Sequence, residues 1–315
     1  ITVRHEQGAA FMADGYARVT GKPAAVLTLP GPGLTNAMTG IGEAFYDSQP
    51  MLVLSTQVNR EFIDQDRGLL HEMTHQFEML QPLTKSGERI LDGSEIATVF
   101  QRAMAALRSG RPRPVQIEIS RDIQVELTEW EEEPPPNLPL VRGGTVASQT
   151  TVPSPSRGGI GRGRDLADIA TLLAQSQRPL IFAGGGSNNP SASPALVKLA
   201  ERLGAPVLTT GMGVGAIPSD YPLACGVPWI AAGDLRPLVA ACDAFIAVGT
   251  RFNLAFTANW NLPLPETTIR IDIDADEIER NLPMKYKVVG DAGEVLTAID
   301  DHLAEAGLDR QGQVD

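Results

Sequence analysis

The chain has 315 residues, 43% of them hydrophobic, enough for two domains with cores of their own. A formal net charge of −12 leaves no basic surplus to neutralise phosphates, which excludes nucleic acid and anionic membrane surfaces as expected partners and points to small metabolites. Only Cys225 and Cys242 are present, with no CxxC, which excludes a disulfide or thiolate–metal framework; no apolar run approaches the roughly 20 residues of a membrane span, so a cytoplasmic setting is expected.

The β-branched "ITV" at the start leads into a Gly/Ala-rich helical pattern, "EQGAAFMADGYARVTG", so the chain is expected to begin within or just before a strand. Strands are predicted at 23–30, 50–56 and 113–120, with helices between them. The clearest helix covers 94–109, with Ser94 as N-cap and Gly110 just past its end. From Glu129 to 164 the sequence is rich in Pro, Gly and Ser without periodicity, and it reads as a linker. A helix at 165–176 reopens the alternation. Strands follow at 178–184, 206–210, 244–250 and 268–274, and a last helix from about Asp291 to Ala304. This alternation predicts an α/β protein of two doubly wound parallel-sheet domains joined by a Pro/Gly-rich linker: 1–128, truncated at its start, and a Rossmann-like domain at 165–315.

Three constellations could carry chemistry. Glu6 stands where a strand is expected to turn into a helix. A glutamate there commonly just favours the helix dipole, but Gly8, Ala9 and Ala10 would let another element approach and leave the carboxylate in a poorly hydrated crevice that raises its pKa. Gly31-Pro32-Gly33 leaves a strand end in a tight turn, before a helix that could be capped through Thr35 or Asn36; open α/β sheets bind ligands at such strand ends. "HEMTH" satisfies the H-E-x-x-H pattern, in which His71 and His75 would share a helical face and bind zinc while Glu72 activates water. Glu78 and Gln81 fill the slots of a longer zinc motif, leaving Glu88 or Glu95 as a further ligand. In the second half, "FAGGGSNNP" is a glycine turn suited either to a phosphate or to structure alone, and Asp272 with Asp274 could meet a ribose or simply end an exposed strand, the second being preferred.

The stretch "RHEQGAAFMADGYARVTGKPAAVLTLPGPGLTNAMTGIGEAFYDSQPMLVLS", continued by "PLTKSGERI" and "RPRPVQIEISRDIQ", closely resembles the pyrimidine-binding domain of thiamine diphosphate enzymes of the acetolactate synthase and 2-oxo acid decarboxylase group. "RPLIFAGGGS", "GAPVLTTGMGVGAIPSDYPL" and "IRIDIDADEIERN" are similar to that family's central domain. The resemblance implies thiamine diphosphate with Mg2+ as cofactor, a 2-oxo acid or acyl-CoA substrate, and a homodimer or homotetramer. It implies that Glu6 is catalytic, bonding a ring nitrogen of the aminopyrimidine and promoting the imino tautomer that deprotonates the thiazolium carbon. It carries Gly31, Pro32, Gly33 and Asn36 over as the pyrimidine pocket.

By spacing back from Thr84-Lys85, His71-Glu72 occupy the place of a Phe-Gln pair of acetolactate synthases, which brings both into the cofactor-binding set and resembles the oxalyl-CoA decarboxylase branch. Central domains of the family variously hold FAD, an adenine nucleotide or nothing, and Phe252, Asn253 and Leu254 depart from the flavin pattern. The family's Gly-Asp-Gly diphosphate anchor has no match: Gly233-Asp234-Leu235 and Gly290-Asp291-Ala292 fail at the third residue, and Asp92-Gly93 follows Leu91. No Mg2+ ligand is therefore assigned in the chain, which is expected to be a fragment, inactive alone.

Overall fold

A computed structural model describes residues 1–127, 163–227, 236–254, 257 and 259–310. The expected linker falls almost wholly outside the described residues, as does Gly233-Asp234-Leu235. The chain divides into two compact units, Ile1–Thr151 and Val152–Asp315.

The first unit is built from α1 (Glu6–Thr20), β1 (Ala24–Thr28), α2 (Pro32–Tyr46), β2 (Met51–Gln57), α3 (Gln76–Leu80), β3 (Ser86–Ile90), α4 (Ile96–Arg108) and β4 (Val115–Ser120). Its four strands are all parallel in the order β1-β2-β4-β3, with Val26 opposite Val53 and Leu54 opposite Ile117. Parallel strands need crossovers, and helices fill both faces. Val26 and Val53 pack with Ala10, Leu34, Ile41 and Leu80 on one face, and Leu52 and Ile117 with Val99, Ala103 and Leu107 of α4 on the other.

Two local devices fix this layering. A Cβ on Gly40 would lie 2.6 Å from that of Ala10, so α1 and α2 approach as closely as they do only because Gly40 is bare. Arg18 of α1 pairs with Asp14 and with Asp47, the C-cap of α2, at 2.7 Å each. At the far end, Lys85 donates to the carbonyls of Ala106 (2.9 Å), Arg111 (3.0 Å) and Ser109, satisfying acceptors that the end of α4 leaves open.

The second unit runs α5 (Gly163–Gln175), β5 (Pro179–Ala183), α6 (Ala192–Leu203), β6 (Val207–Thr209), α7 (Arg236–Ala241), β7 (Ala244–Val248), β8 (Thr267–Asp272), β9 (Tyr286–Val289) and α8 (Ala292–Glu305). The sheet order is β6-β5-β7-β8-β9, again all parallel. Ile181, Ile246 and Ile269 pack beneath α5, α6 and α8, and the opposite face stacks Phe182 on Phe245 and on Phe252. Asp300 of α8 is buried and clamped by Arg202 and by Lys198 of α6, the latter at 2.8 Å.

The two doubly wound parallel sheets are as expected, and several details differ. Ile1–Val3, where a strand was expected, have no regular structure. Helix α2 begins at Pro32 with Gly31 as N-cap, placing Thr35 and Asn36 inside the helix rather than at its cap. Proline pre-sets the first helical dihedral and has no amide to satisfy. Ser94 lies in a 3-10 turn whose cap is Asp92, accepting from the Ser94 amide at 2.8 Å. Helices α3, α6 and α7 and strands β3 and β9 were not among the expected elements.

Candidate functional site

The strand ends of the first unit gather most of the predicted residues. His5 is the N-cap of α1, its Nδ1 accepting from the Gln7 amide at 3.2 Å, and this leaves Glu6 at the first helical position. The Asn36 amide, one turn into α2, donates to Glu6 Oε2 at 3.0 Å. Gly33 is the other wall: a Cβ there would come 3.6 Å from Glu6 Oε1. Glu6, Gly33 and Asn36 are thus brought together, joining two helix starts that lie 30 residues apart in the chain.

The expected crevice is wetter than the small residues suggested. Glu6 is half-buried and Gly8 exposed. The Asn36 amide, aided by the Glu6 backbone N–H and His5, holds the carboxyl below its usual range against a small opposing effect of burial. The sequence expectation of a raised pKa is therefore corrected for this chain. A donated hydrogen bond stabilises the charged form, and too little apolar cover is present to oppose it.

Gly31 adopts φ +58°, and a Cβ on it would fall 2.6 Å from the His71 carbonyl oxygen, so the loop carrying His71 lies directly on the turn. His71 touches the site through its backbone. Glu72 closes its own loop, accepting from the amides of Arg67 (3.0 Å) and Leu69 (2.9 Å), which lower its pKa, the Leu69 bond most. His71 and Glu72 thus stand beside the turn as part of its support.

The zinc alternative fails on this geometry. Residues 71–75 form no helix, and His71 and His75 both have positive φ, so the i, i+4 face the motif needs is not formed. Glu88 is engaged by Arg102. Asp64, His75 and Glu78 do bring potential ligand atoms within 4.8 Å of one another, but Arg89 reaches Asp64 at 3.5 Å and Glu78 at 3.8 Å, a cation already set against them.

The feature that sequence reasoning missed is Gln76, the first residue of α3, fully buried. Its Oε1 accepts from the Gly31 amide at 2.6 Å, while its Nε2 donates to the Thr56 carbonyl at 2.9 Å and to Glu118 Oε2 at 2.8 Å. Glu118 is also fully buried and bonded at 2.6 Å by Arg89. Burial pushes its carboxyl up, with Gln76 and Arg89 opposing. One signal was available: Gln116, Glu118 and Ser120 are polar at alternate positions of an otherwise apolar strand, which marks one face of the strand end as polar.

In the second unit the glycine turn after β5 is explained by backbone packing. A Cβ on Gly184 would lie 2.3 Å from the Gly249 carbonyl oxygen, and one on Gly213 would lie 2.2 Å from that of Ala183. Asn189 Oδ1 accepts from the amides of Ser191 and Ala192 at the start of α6. Asp272 is buried, not an exposed strand terminus: its Oδ1 takes the Asp274 amide, and Asp274 takes those of Asp276 and Glu277, shaping the turn after β8. Phe252, of the sequence that departs from the flavin pattern, is buried with the Arg270 guanidinium 4.8 Å over its ring. Asp291 caps α8 through Gly293 and Glu294.

Two family profiles match this chain: the "Thiamine pyrophosphate enzyme, N-terminal TPP binding domain" over residues 1–79, and the "Thiamine pyrophosphate enzyme, central domain" over 166–299. The chain belongs to the thiamine pyrophosphate enzyme family. Among curated relatives, it is 36% identical to a probable 2-ketoarginine decarboxylase, AruI, of Pseudomonas aeruginosa, over 98% of this chain and 52% of the relative. It is likewise 36% identical to a probable acetolactate synthase large subunit of Methanocaldococcus jannaschii (94% and 48%), and 32% identical to the acetolactate synthase isozyme 3 large subunit of Escherichia coli (97% and 51%). The chain spans about half the length of these relatives.

Proposed function

We propose that this chain supplies the pyrimidine-binding side of a thiamine diphosphate enzyme that cleaves or forms C–C bonds at a 2-oxo acid, in the manner of an acetolactate synthase. The observation that carries the reading is the Glu6 carboxylate at the start of α1, bonded by Asn36 and faced by the bare Gly33. The missing Cβ at Gly33 leaves open the side of Glu6 Oε1 that a flat ring would need, so the residues present fit the group. Bound thiamine diphosphate would supply an electron sink for the carbon losing carbon dioxide.

The protein's part is to hold and orient. Glu6 Oε1 would share a proton with a ring nitrogen, Asn36 would fix the other oxygen, and Gly31-Pro32-Gly33 would form the floor, with His71 and Glu72 behind it. A proton held at Glu6 requires a higher pKa than the carboxyl has in this chain. Cover from the diphosphate-binding domain of a neighbouring subunit in a homodimer or homotetramer would dry the site and raise it. Mg2+ would be held by that domain, outside this chain.

A second reading, a decarboxylase that releases an aldehyde without forming a new C–C bond, is favoured by the equal identity to the probable 2-ketoarginine decarboxylase. Both readings are tested by incubating the full-length gene product with thiamine diphosphate, Mg2+ and a panel of 2-oxo acids, including pyruvate and 2-ketoarginine. Acetolactate marks the first and an aldehyde the second. Glu6→Gln is expected to lower kcat by about 100-fold or more in either case, the usual range for a lost proton-transfer group. A variant of undiminished kcat would remove Glu6 from the reaction.

A further inference from the structure

The Gln76 side chain makes three of the four hydrogen bonds an amide can make, to Gly31, Thr56 and Glu118. A glutamine amide offers one acceptor oxygen and one donor nitrogen, and here the oxygen receives the Gly31 N–H while the nitrogen serves two acceptors, the Thr56 carbonyl and Glu118. The orientation follows from its partners. With the amide reversed, its NH2 would face the Gly31 N–H and its oxygen would face two acceptors. Glu118 is fixed in turn by Arg89, which also reaches Asp64, and Asp64 Oδ1 accepts the His75 amide at 2.7 Å, next to Gln76 in the chain.

The turn has local bonds of its own, Gly33 N–H to the Pro30 carbonyl at 3.4 Å and Thr35 N–H to the Gly31 carbonyl at 3.1 Å, but neither uses the Gly31 N–H. Gly31 has left-handed φ, its N-cap position provides no side-chain cap, and Pro30 and Pro32 on either side have no amide to donate. The Gly31 N–H is therefore the available donor between Leu29 and Gly33, and its partner comes from 45 residues away. The carbonyl of His71 lies against the same glycine.

We infer that Gln76, oriented by Glu118 and Arg89, is a positioning residue that sets the Gly31-Pro32-Gly33 turn and so the wall facing Glu6. As a statement about thiamine binding this rests on the proposed function; as a statement about the turn it does not. Gln76→Met keeps the length of the side chain and removes all three bonds. Gln76→Glu keeps an acceptor for Gly31 but sets a carboxylate against Glu118 and the Thr56 carbonyl. Glu118→Gln has one oxygen for two donors, Gln76 Nε2 and Arg89 Nε, and is expected to loosen the turn, though less than Gln76→Met, which loses the Gly31 bond itself.

The test measures amide hydrogen exchange in the full-length protein without cofactor, followed by thiamine diphosphate affinity in the presence of Mg2+. In Gln76→Met the amides of Leu29–Thr35 should exchange about tenfold faster, as expected for the loss of one buried hydrogen bond, while those of α4 and β4 keep their wild-type rates. Thiamine diphosphate should bind correspondingly more weakly, and Glu118→Gln should shift both readouts in the same direction by a smaller factor. Unchanged exchange at the turn, or exchange accelerated equally throughout the unit, would overturn the inference. If Gln76→Met does not fold, Gln76→Leu, which also removes the acceptor, is read in the same way, and failure of both to fold would assign Gln76 to stability alone and also overturn it. A wild-type protein that binds no thiamine diphosphate would sink the proposed function, while the exchange rates would still decide whether Gln76 holds the turn.

Discussion

The Asn36 amide lowers the Glu6 pKa as a neighbouring positive charge would, and it does so from a helix that the chain reaches only after passing through β1. Because the folded carboxyl is held low, the contact contributes stability above the unfolded glutamate pKa, and this is lost as pH falls through the lowered folded value. Asn36→Ala should move the Glu6 titration, followed by carboxyl 13C NMR, up toward the ordinary glutamate range; an unmoved titration would mean that the amide is not the cause. The two turn glycines should part company. Gly31→Ala sets a Cβ against a backbone oxygen at positive φ and should cost about 1–3 kcal/mol in denaturant unfolding. Gly33→Ala meets the Leu29 Cβ at 3.0 Å, which must give by a few tenths of an ångström, and touches Glu6 Oε1 at an ordinary 3.6 Å, so it should cost less than Gly31→Ala while filling the space beside the carboxylate. Equal destabilisation by both would contradict this division.

At the scale of elements, the second unit depends on the α6–α8 clamp. Burial alone would raise the Asp300 pKa, but Arg202 and Lys198 hold it below the ordinary value. The stability this contributes is present above the unfolded aspartate pKa of about 3.9 and is lost as pH falls through the lower folded value. Asp300→Asn should therefore destabilise the second unit at neutral pH by about 1–3 kcal/mol, the range for losing hydrogen bonds to a charged group, and the deficit should shrink in acid. A pH-independent deficit would place the effect in packing. In the first unit, Gly40→Leu should force α1 from α2 and lower the thermal midpoint, whereas Gly8→Leu meets open space and should not.

Strands β1, β2, β4, β5, β6, β7 and β8 were legible because each is a compact run of β-branched or apolar residues ending in a turn signal. Helix α3 was not, since its five residues complete less than two helical turns and cannot show a period. Strand β3, "SGERI", was missed because only its last residue, Ile90, is apolar and buried; Arg89 reaches Glu118 and Glu88 pairs with Arg102 at the surface. Glu6, Gly33 and Asn36 could be read as a site, but the wetness of that site could not. Exposure of Gly8 and half-burial of Glu6 depend on what covers α1, which no local pattern in the first ten residues specifies.

For the whole molecule, two parallel sheets match two family profiles, and the chain spans about half of each curated relative. Among the described residues, no helix is long and apolar enough to cross a membrane. The formal net charge is −12, and Glu6, Gly33 and Asn36 meet where strand ends adjoin helix starts. The account stands or falls on whether Glu6 handles a proton for the bound ring. The direct measurement is the rate at which thiamine diphosphate, bound to the full-length gene product, exchanges its thiazolium carbon proton for deuterium. Glu6→Gln should slow that exchange by about 100-fold or more while leaving the cofactor bound, and exchange at the wild-type rate in the variant would contradict the central claim.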